Sequence, residues 1–205
     1  MMDPRKIVLA TRNMDKIAEI REILKGEPLE LLSLADFPGT ERIEENGETF
    51  MANARKKAQA CFRVTGMVSL ADDSGLEVDV LGGAPGILSS RFAGEGATYR
   101  DNNEKLLHFM KDIPKEKRSA RFQCVVVLVD GSEDKWAEGT CEGMILSEYR
   151  GDKGFGYDPL FYVPEAKKTF AEMSRDEKNR ISHRGKAFRN IAATIRQESF
   201  KHIGA

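Results

Sequence analysis

Apolar residues recur along this chain with two different periods. Ile7-Val8-Leu9-Ala10 is an unbroken run of strand length, and behind it Met14, Ile17, Ile20, Ile23 and Leu24 follow the spacing of one helix face. The polar turn Thr11-Arg12-Asn13 joins the two. Leu29 to Leu34 predicts a second strand, after which Pro38, Gly39, Glu41, Glu44, Glu45 and Glu48 mark a polar loop. A helix is expected over Thr49 to Val64, with Phe50, Ala54, Ala58 and Cys61 on one face and Asn53, Lys56 and Lys57 elsewhere. Met67 to Ala71 predicts another strand, and Leu76-Glu77-Val78-Asp79-Val80 alternates as a half-exposed strand does. Asp72-Asp73-Ser74-Gly75 lies between those two extended segments.

The second half of the chain changes character. Leu81 to Gly86 reads as a turn-rich loop and Tyr99 to Met110 as a helix. Ser119 to Asp130, dense in valine, is the strongest strand; Gly131-Ser132-Glu133-Asp134 turns it into a partner over Trp136 to Ile145. Such a hairpin beside strand–helix alternation predicts a mixed sheet rather than a wholly parallel one. Leu160 to Val163 resumes a short strand, and Ser174-Arg175-Asp176-Glu177 is a capping box opening a short helix that carries Lys178. Ser182-His183-Arg184-Gly185 interrupts it, and a last helix is expected from about Lys186, with Phe188, Ile191, Ala192 and Ile195 at helical spacing. The pattern specifies an α/β fold, a mixed central β-sheet flanked by helices, in one domain over residues 1–205.

Composition removes several functional classes. Lys plus Arg number 32 against 33 Asp plus Glu, so a net charge of -1 gives no overall attraction to nucleic acid or to acidic membranes. Cys61, Cys124 and Cys141 are odd in number, far apart and set among apolar residues, as reduced packing residues of a cytoplasmic protein would be. Asp3, Arg5 and Lys6 precede an apolar run too brief for a signal peptide, and Cys124 to Val129 is far short of a membrane span. A soluble chain with no nucleic-acid partner is expected.

The candidate chemistry starts at Asp72-Asp73, where adjacent carboxylates repel unless cations or donors offset them; a divalent metal would serve. A solvated turn is the alternative, because Asp, Ser and Gly all favour turns. The turn from Thr11 to Lys16 has the strand-to-helix geometry that can hold phosphate on backbone N–H groups, although an ordinary capped helix has the same signature. Lys16 in a first turn opposes the helix dipole, which hints at a compensating anion. Glu44 and Glu45 precede a helix and are either solvated loop acids or further metal ligands. Phe155 is bracketed by glycines in Gly154-Phe155-Gly156 and suits stacking on a nucleobase, while Lys178, His183, Arg184 and Lys186 form a basic cluster.

Taken in order, Ala-Thr-Arg-Asn-Met-Asp-Lys, Ala-Asp-Asp-Ser-Gly-Leu, Gly-Gly-Ala-Pro-Gly, Gly-Phe-Gly-Tyr-Asp-Pro and Ile-Ser-His-Arg-Gly resemble the inosine triphosphate pyrophosphatase family over nearly the whole chain. Arg12 departs from the glycine that many members have in this turn. The resemblance implies two lobes with a nucleotide cleft between them, and hydrolysis of non-standard purine nucleoside triphosphates (ITP, dITP, XTP) to monophosphate and pyrophosphate by water attack at the α-phosphorus with Mg2+. It implies that Thr11, Arg12, Asn13, Met14, Asp15, Lys16 and Lys57 hold phosphates and that Glu44, with Glu45 as its neighbour in reserve, and Asp73 bind the metal. Asp73 is the implied catalytic base and Asp72 a support for the metal site. Ser74, Phe155, Gly156, Tyr157, Asp158, Lys178, His183 and Arg184 are the implied base-side contacts, with Arg184 or His183 donating to the 6-oxygen. A homodimer is implied as well. The competing readings are a nucleotide-sensing or RNA-binding module without turnover, and an enzyme acting on damaged pyrimidine or methylated nucleotides.

Overall fold

A computed structural model describes residues 4–37 and 43–197; Asp3, Pro38, Gly39 and Glu41 lie outside the described residues. Strands β1 (Arg5–Leu9), β2 (Leu29–Ser33), β3 (Ser69–Val78), β4 (Ser119–Val129), β5 (Lys135–Ile145), β6 (Phe161–Val163) and β7 (Lys168–Thr169) form a seven-stranded sheet in the order β2-β1-β3-β4-β5-β6-β7. β1 pairs in parallel with β2 and with β3, whereas β6 pairs antiparallel with β5 and β7, so the sheet is mixed as the pattern predicts. The helices are α1 (Met14–Ile23), α2 (Phe50–Thr65), α3 (Tyr99–Met110), α4 (Arg175–Ile181) and α5 (His183–Gln197). No described helix is long and apolar enough to cross a membrane.

The chain divides into two compact units whose boundaries fall inside β3, β4, β5 and α5. The first takes the described residues up to Asp73, residues 124–139 and those from Arg184. Its core packs Ile7, Leu9 and Leu70 of the sheet with Ile17 and Ile20 of α1 and Phe188 and Ile191 of α5. Each such fully buried side chain contributes roughly 1.5–3 kcal/mol. The second unit, residues 74–123 and 140–183, has its own core of Leu76, Val78, Leu106, Met110, Phe161 and Phe170.

Two elements differ from the sequence expectation. Asp72-Asp73-Ser74-Gly75 is not a turn: β3 runs unbroken from Ser69 to Val78 through all four. Polar side chains suggested a break, but each acid finds partners within the fold, so the ladder need not end there. The interruption before the last helix is also shorter than expected. Ser182 alone leaves helical geometry (φ -67, ψ 157), and α5 begins at His183. Gly185 therefore sits inside a helix, where an isolated glycine is tolerated.

Candidate functional site

The strand geometry of β3 separates the two acids, because neighbouring side chains on a strand point to opposite faces. Asp72 Oδ2 accepts from Lys16 Nζ at 3.0 Å and from Arg184 Nη2 at 3.1 Å and Nε at 3.4 Å. Arg184 Nη1 donates to Glu19 Oε2 at 2.8 Å, so one buried chain of charges runs from α1 through β3 to α5. Burial alone would raise the Asp72 carboxyl, but Lys16, Arg184 and Lys57 outweigh it and hold it well below the usual carboxylate range. This carboxylate is an anion that compensates Lys16 within the fold.

Asp73 meets a different set. Lys57 Nζ lies 2.9 Å from Asp73 Oδ1 and 3.3 Å from Glu45 Oε2, so the two carboxyl groups share it. Burial raises the Asp73 carboxyl, and Lys57 and Lys16 only partly offset it; nearby Glu45 adds to the rise. Burial also pushes Glu45 up, but Lys57 and Lys16 bring it below its ordinary value. Lys57 stays charged, since Asp73, Glu45 and Asp72 outweigh the cost of burying it. The two carboxylates that share one ammonium are thus shifted in opposite directions, Glu45 down and Asp73 up from its ordinary value.

Local sequence explains how these groups are held. α2 starts at Thr49, whose side chain accepts from Ala52 N–H at 3.0 Å. Asn53, 1% exposed, accepts from Gly47 N–H at 2.8 Å and fastens the loop that carries Glu45 to the helix that carries Lys57. A Cβ on Gly47 would come within 2.8 Å of that Asn53 oxygen, so the loop needs glycine there. Glu44, by contrast, is exposed, with Lys56 Nζ 4.0 Å away. In the turn before α1, Asn13 Oδ1 accepts from the N–H groups of Asp15 at 2.9 Å and Lys16 at 3.1 Å, while Thr11 Oγ1 accepts from Asn13 N–H. The helix is thus capped by its own side chain, and Lys16 Nζ is the group of this turn that reaches the acids. Arg12, Met14 and Asp15 are exposed.

The second unit gathers the aromatic and base-side candidates. Asp158, 2% exposed, accepts at Oδ2 from Phe155 N–H at 2.8 Å and from Lys178 Nζ at 2.5 Å. Lys178 Nζ stands 4.9 Å from the centre of the Phe155 ring, a cation–π distance, and Tyr99 lies on Phe155 with ring centres 5.8 Å apart. Asn103 Nδ2 donates to Gly156 O at 2.9 Å, and Tyr157 is buried with its hydroxyl on Ser89 O at 2.9 Å. His183 stacks flat on Phe122, centres 4.6 Å apart and planes at 10°. Ser74 follows Asp73 on β3 and is half-buried.

The structure therefore brings together Lys16, Lys57, Asp72, Asp73 and Arg184 in one unit, and Phe155, Asp158 and Lys178 in the other. Arg184, expected at the base edge, has its guanidinium on Asp72 and Glu19. Asp72, the implied support of the metal site, pairs with Lys16 and Arg184. Glu19, Asn53, Tyr99 and Asn103 were not singled out by their motifs. Only Asn53 carried a usable signal, four residues before Lys57 and hence on the same face of α2.

Among the described residues no group of three or more His, Cys, Asp or Glu side chains is arranged to hold a metal. The pair Glu45 and Asp73 still fits a magnesium ion, which is commonly held by one or two carboxylates together with substrate phosphates and water.

A sequence model described as the Ham1 family matches residues 7–194. A dITP/XTP pyrophosphatase of Desulforamulus reducens is 52% identical over 185 residues, covering 90% of this chain and 92% of that one. One from Bacillus cereus is 48% identical over 198 residues, with 95% and 97% covered. Among solved structures, a HAM1 protein from Coxiella burnetii superposes with a TM-score of 0.86 at 40% identity, covering 95% of this chain and 100% of that one. The Ham1 protein of Staphylococcus aureus gives 0.84 at 37% identity, with the same coverage.

Proposed function

The chain belongs to the Ham1 family, and on that footing we propose that it hydrolyses non-standard purine nucleoside triphosphates, ITP, dITP and XTP, to the monophosphate and pyrophosphate. The observation that carries the reading is the Glu45–Lys57–Asp73 group, with Lys57 and Asp73 buried and Glu45 half-buried, next along β3 to the Lys16–Asp72 pair. Two lysines and three acids, with Lys57, Asp72 and Asp73 buried, suit a polyanionic substrate better than they suit a structural core, where buried charges are costly.

In this reading Asp73 takes the proton from the attacking water, a task for which its raised affinity for protons fits it. Lys16 and Lys57 neutralise charge that develops on the departing pyrophosphate. A divalent cation held by Asp73 and Glu45, in preference to the exposed Glu44, would supply further charge neutralisation. Asp72 holds Lys16 and Arg184 in place.

The purine falls to the second unit. Phe155 offers a face for stacking, and Asp158 fixes both that loop and Lys178. Lys178 is the donor we assign to the 6-oxygen of hypoxanthine or xanthine; adenine presents an amino donor there and is rejected. The proposal extends to a cytoplasmic homodimer on the resemblance alone.

Incubating pure protein with ITP and Mg2+ and separating the products tests the activity. Inosine monophosphate with pyrophosphate is the expected outcome; inosine diphosphate with orthophosphate, or binding without turnover, contradicts it.

A further inference from the structure

Lys57 stands where a metal would be needed. Its ammonium bridges Asp73 Oδ1 at 2.9 Å and Glu45 Oε2 at 3.3 Å, the same two carboxylates to which the proposal above gives the cation. The lysine side chain is 8% exposed, and its backbone is fixed in α2 by the Thr49 cap and the Asn53 clasp. Lys16 bonds Asp72 at 3.0 Å and acts on Glu45 and Asp73 only through its longer-range field, while Lys56 bonds Asn46 Oδ1 at 2.6 Å.

We infer that Lys57 is a resident counter-cation that keeps Glu45 and Asp73 half-neutralised until nucleotide arrives, so that metal and triphosphate bind together rather than independently. Three physical steps lead there. A dication approaching two carboxylates that already share an ammonium meets half the net negative charge it would otherwise find, and it meets the ammonium's repulsion. Evicting Lys57 without a new partner would strand a charge in a buried setting, which is strongly disfavoured. A bound triphosphate removes both obstacles, because it gives the flexible lysine stem an anionic destination and gives magnesium the phosphate oxygens it prefers. Lys57 is then a positioning residue for the metal as well as a phosphate contact, and the site resists loading by free metal.

This inference rests on Glu45 and Asp73 being the metal ligands. Its test follows broadening of their carboxyl carbon signals by paramagnetic Mn2+ in the whole protein, with and without the non-hydrolysable analogue inosine α,β-imidotriphosphate. In wild type, broadening is expected at Mn2+ concentrations about tenfold or more lower when the analogue is present. In Lys57→Met it is expected at those low concentrations without analogue, and adding Glu45→Gln should abolish the gain. Circular dichroism checks that the variant is folded. Should it not fold, the lysine ammonium resonance of wild type decides: Mg2+ alone should leave the Lys57 signal unmoved, and Mg2+ with the analogue should shift it. Equal broadening with and without analogue in wild type, or displacement of Lys57 by Mg2+ alone, overturns the role of Lys57 and leaves the metal reading standing. No broadening even with the analogue removes the metal site itself, and the role of Lys57 with it.

Discussion

Asp72 and Asp73 are adjacent on one strand yet belong to different ion pairs, Asp72 to Lys16 and Arg184 and Asp73 to Lys57, which it shares with Glu45. The two-residue period of β3 accounts for it. Side chains that would repel in a turn are turned to opposite faces, and each acid acquires its own cations. One is left as a fixed anion and the other as a proton acceptor.

Removing the fixed anion should damage the fold before it damages the chemistry. Asp72→Asn leaves Arg184 and Lys16 buried beside a neutral amide, and breaking a buried pair in this way costs about 3–5 kcal/mol. Urea unfolding measures it. Loss of less than about 1 kcal/mol would show that Asp72 is not what holds these cations.

Asp73→Asn removes the proton acceptor while preserving shape. Turnover of ITP should fall about a hundred- to ten-thousandfold, the usual worth of a general base, with some analogue binding retained. Near-normal kcat would transfer the role to another group.

The loop carrying Phe155 offers a matched pair of glycines. A Cβ on Gly154 would lie 2.0 Å from Asp158 Oδ2, at a φ of +73, so Gly154→Ala must displace the carboxylate that orients Phe155 and Lys178. Gly156 also has positive φ, +62, but nothing lies within 4 Å of an added Cβ. Gly156→Ala should therefore cost only backbone strain, on the order of 1 kcal/mol. Gly154→Ala should in addition raise KM for ITP severalfold, and equal KM values in the two variants would remove Asp158 as the organiser of this loop.

The helix that carries Lys178 has a pH-sensitive start. Glu177 accepts from Lys168 Nζ at 2.8 Å and from Ser174 N–H at 2.7 Å, and these bonds hold its carboxyl at about 2. A depressed folded value means stability present above the unfolded carboxyl range, about pH 4.3, and lost as pH falls towards 2. Carboxyl titration by NMR should find Glu177 below the exposed glutamates, and Lys168→Met should move it up. An unshifted midpoint in that variant would show that the Lys168 pair is not the cause.

How much of this was legible in the sequence depended on whether the signal was periodic or positional. β1, α1, α2, α3, β4 and β5 follow from apolar spacing, and the mixed sheet follows from a hairpin placed after strand–helix alternation. β3 was read as broken because Asp, Ser and Gly are turn formers in water, whereas here their polar groups are answered by residues 16, 57 and 184, far away in sequence. The same blindness applied to Arg184. Its position in a basic run suggested a substrate contact, and nothing local announced that Glu19 would face it at 2.8 Å. Tyr99 and Asn103 could not be seen as partners of Phe155 and Gly156, since the chain separation is more than fifty residues. Motifs named the chemistry; partnerships needed the fold.

The account stands or falls on which phosphorus water attacks. Hydrolysis of ITP in heavy-oxygen water, with mass analysis of both products, reads this directly. The label is predicted to appear in inosine monophosphate and not in pyrophosphate, as attack at the α-phosphorus requires. Label in the pyrophosphate, or release of labelled orthophosphate, would contradict it.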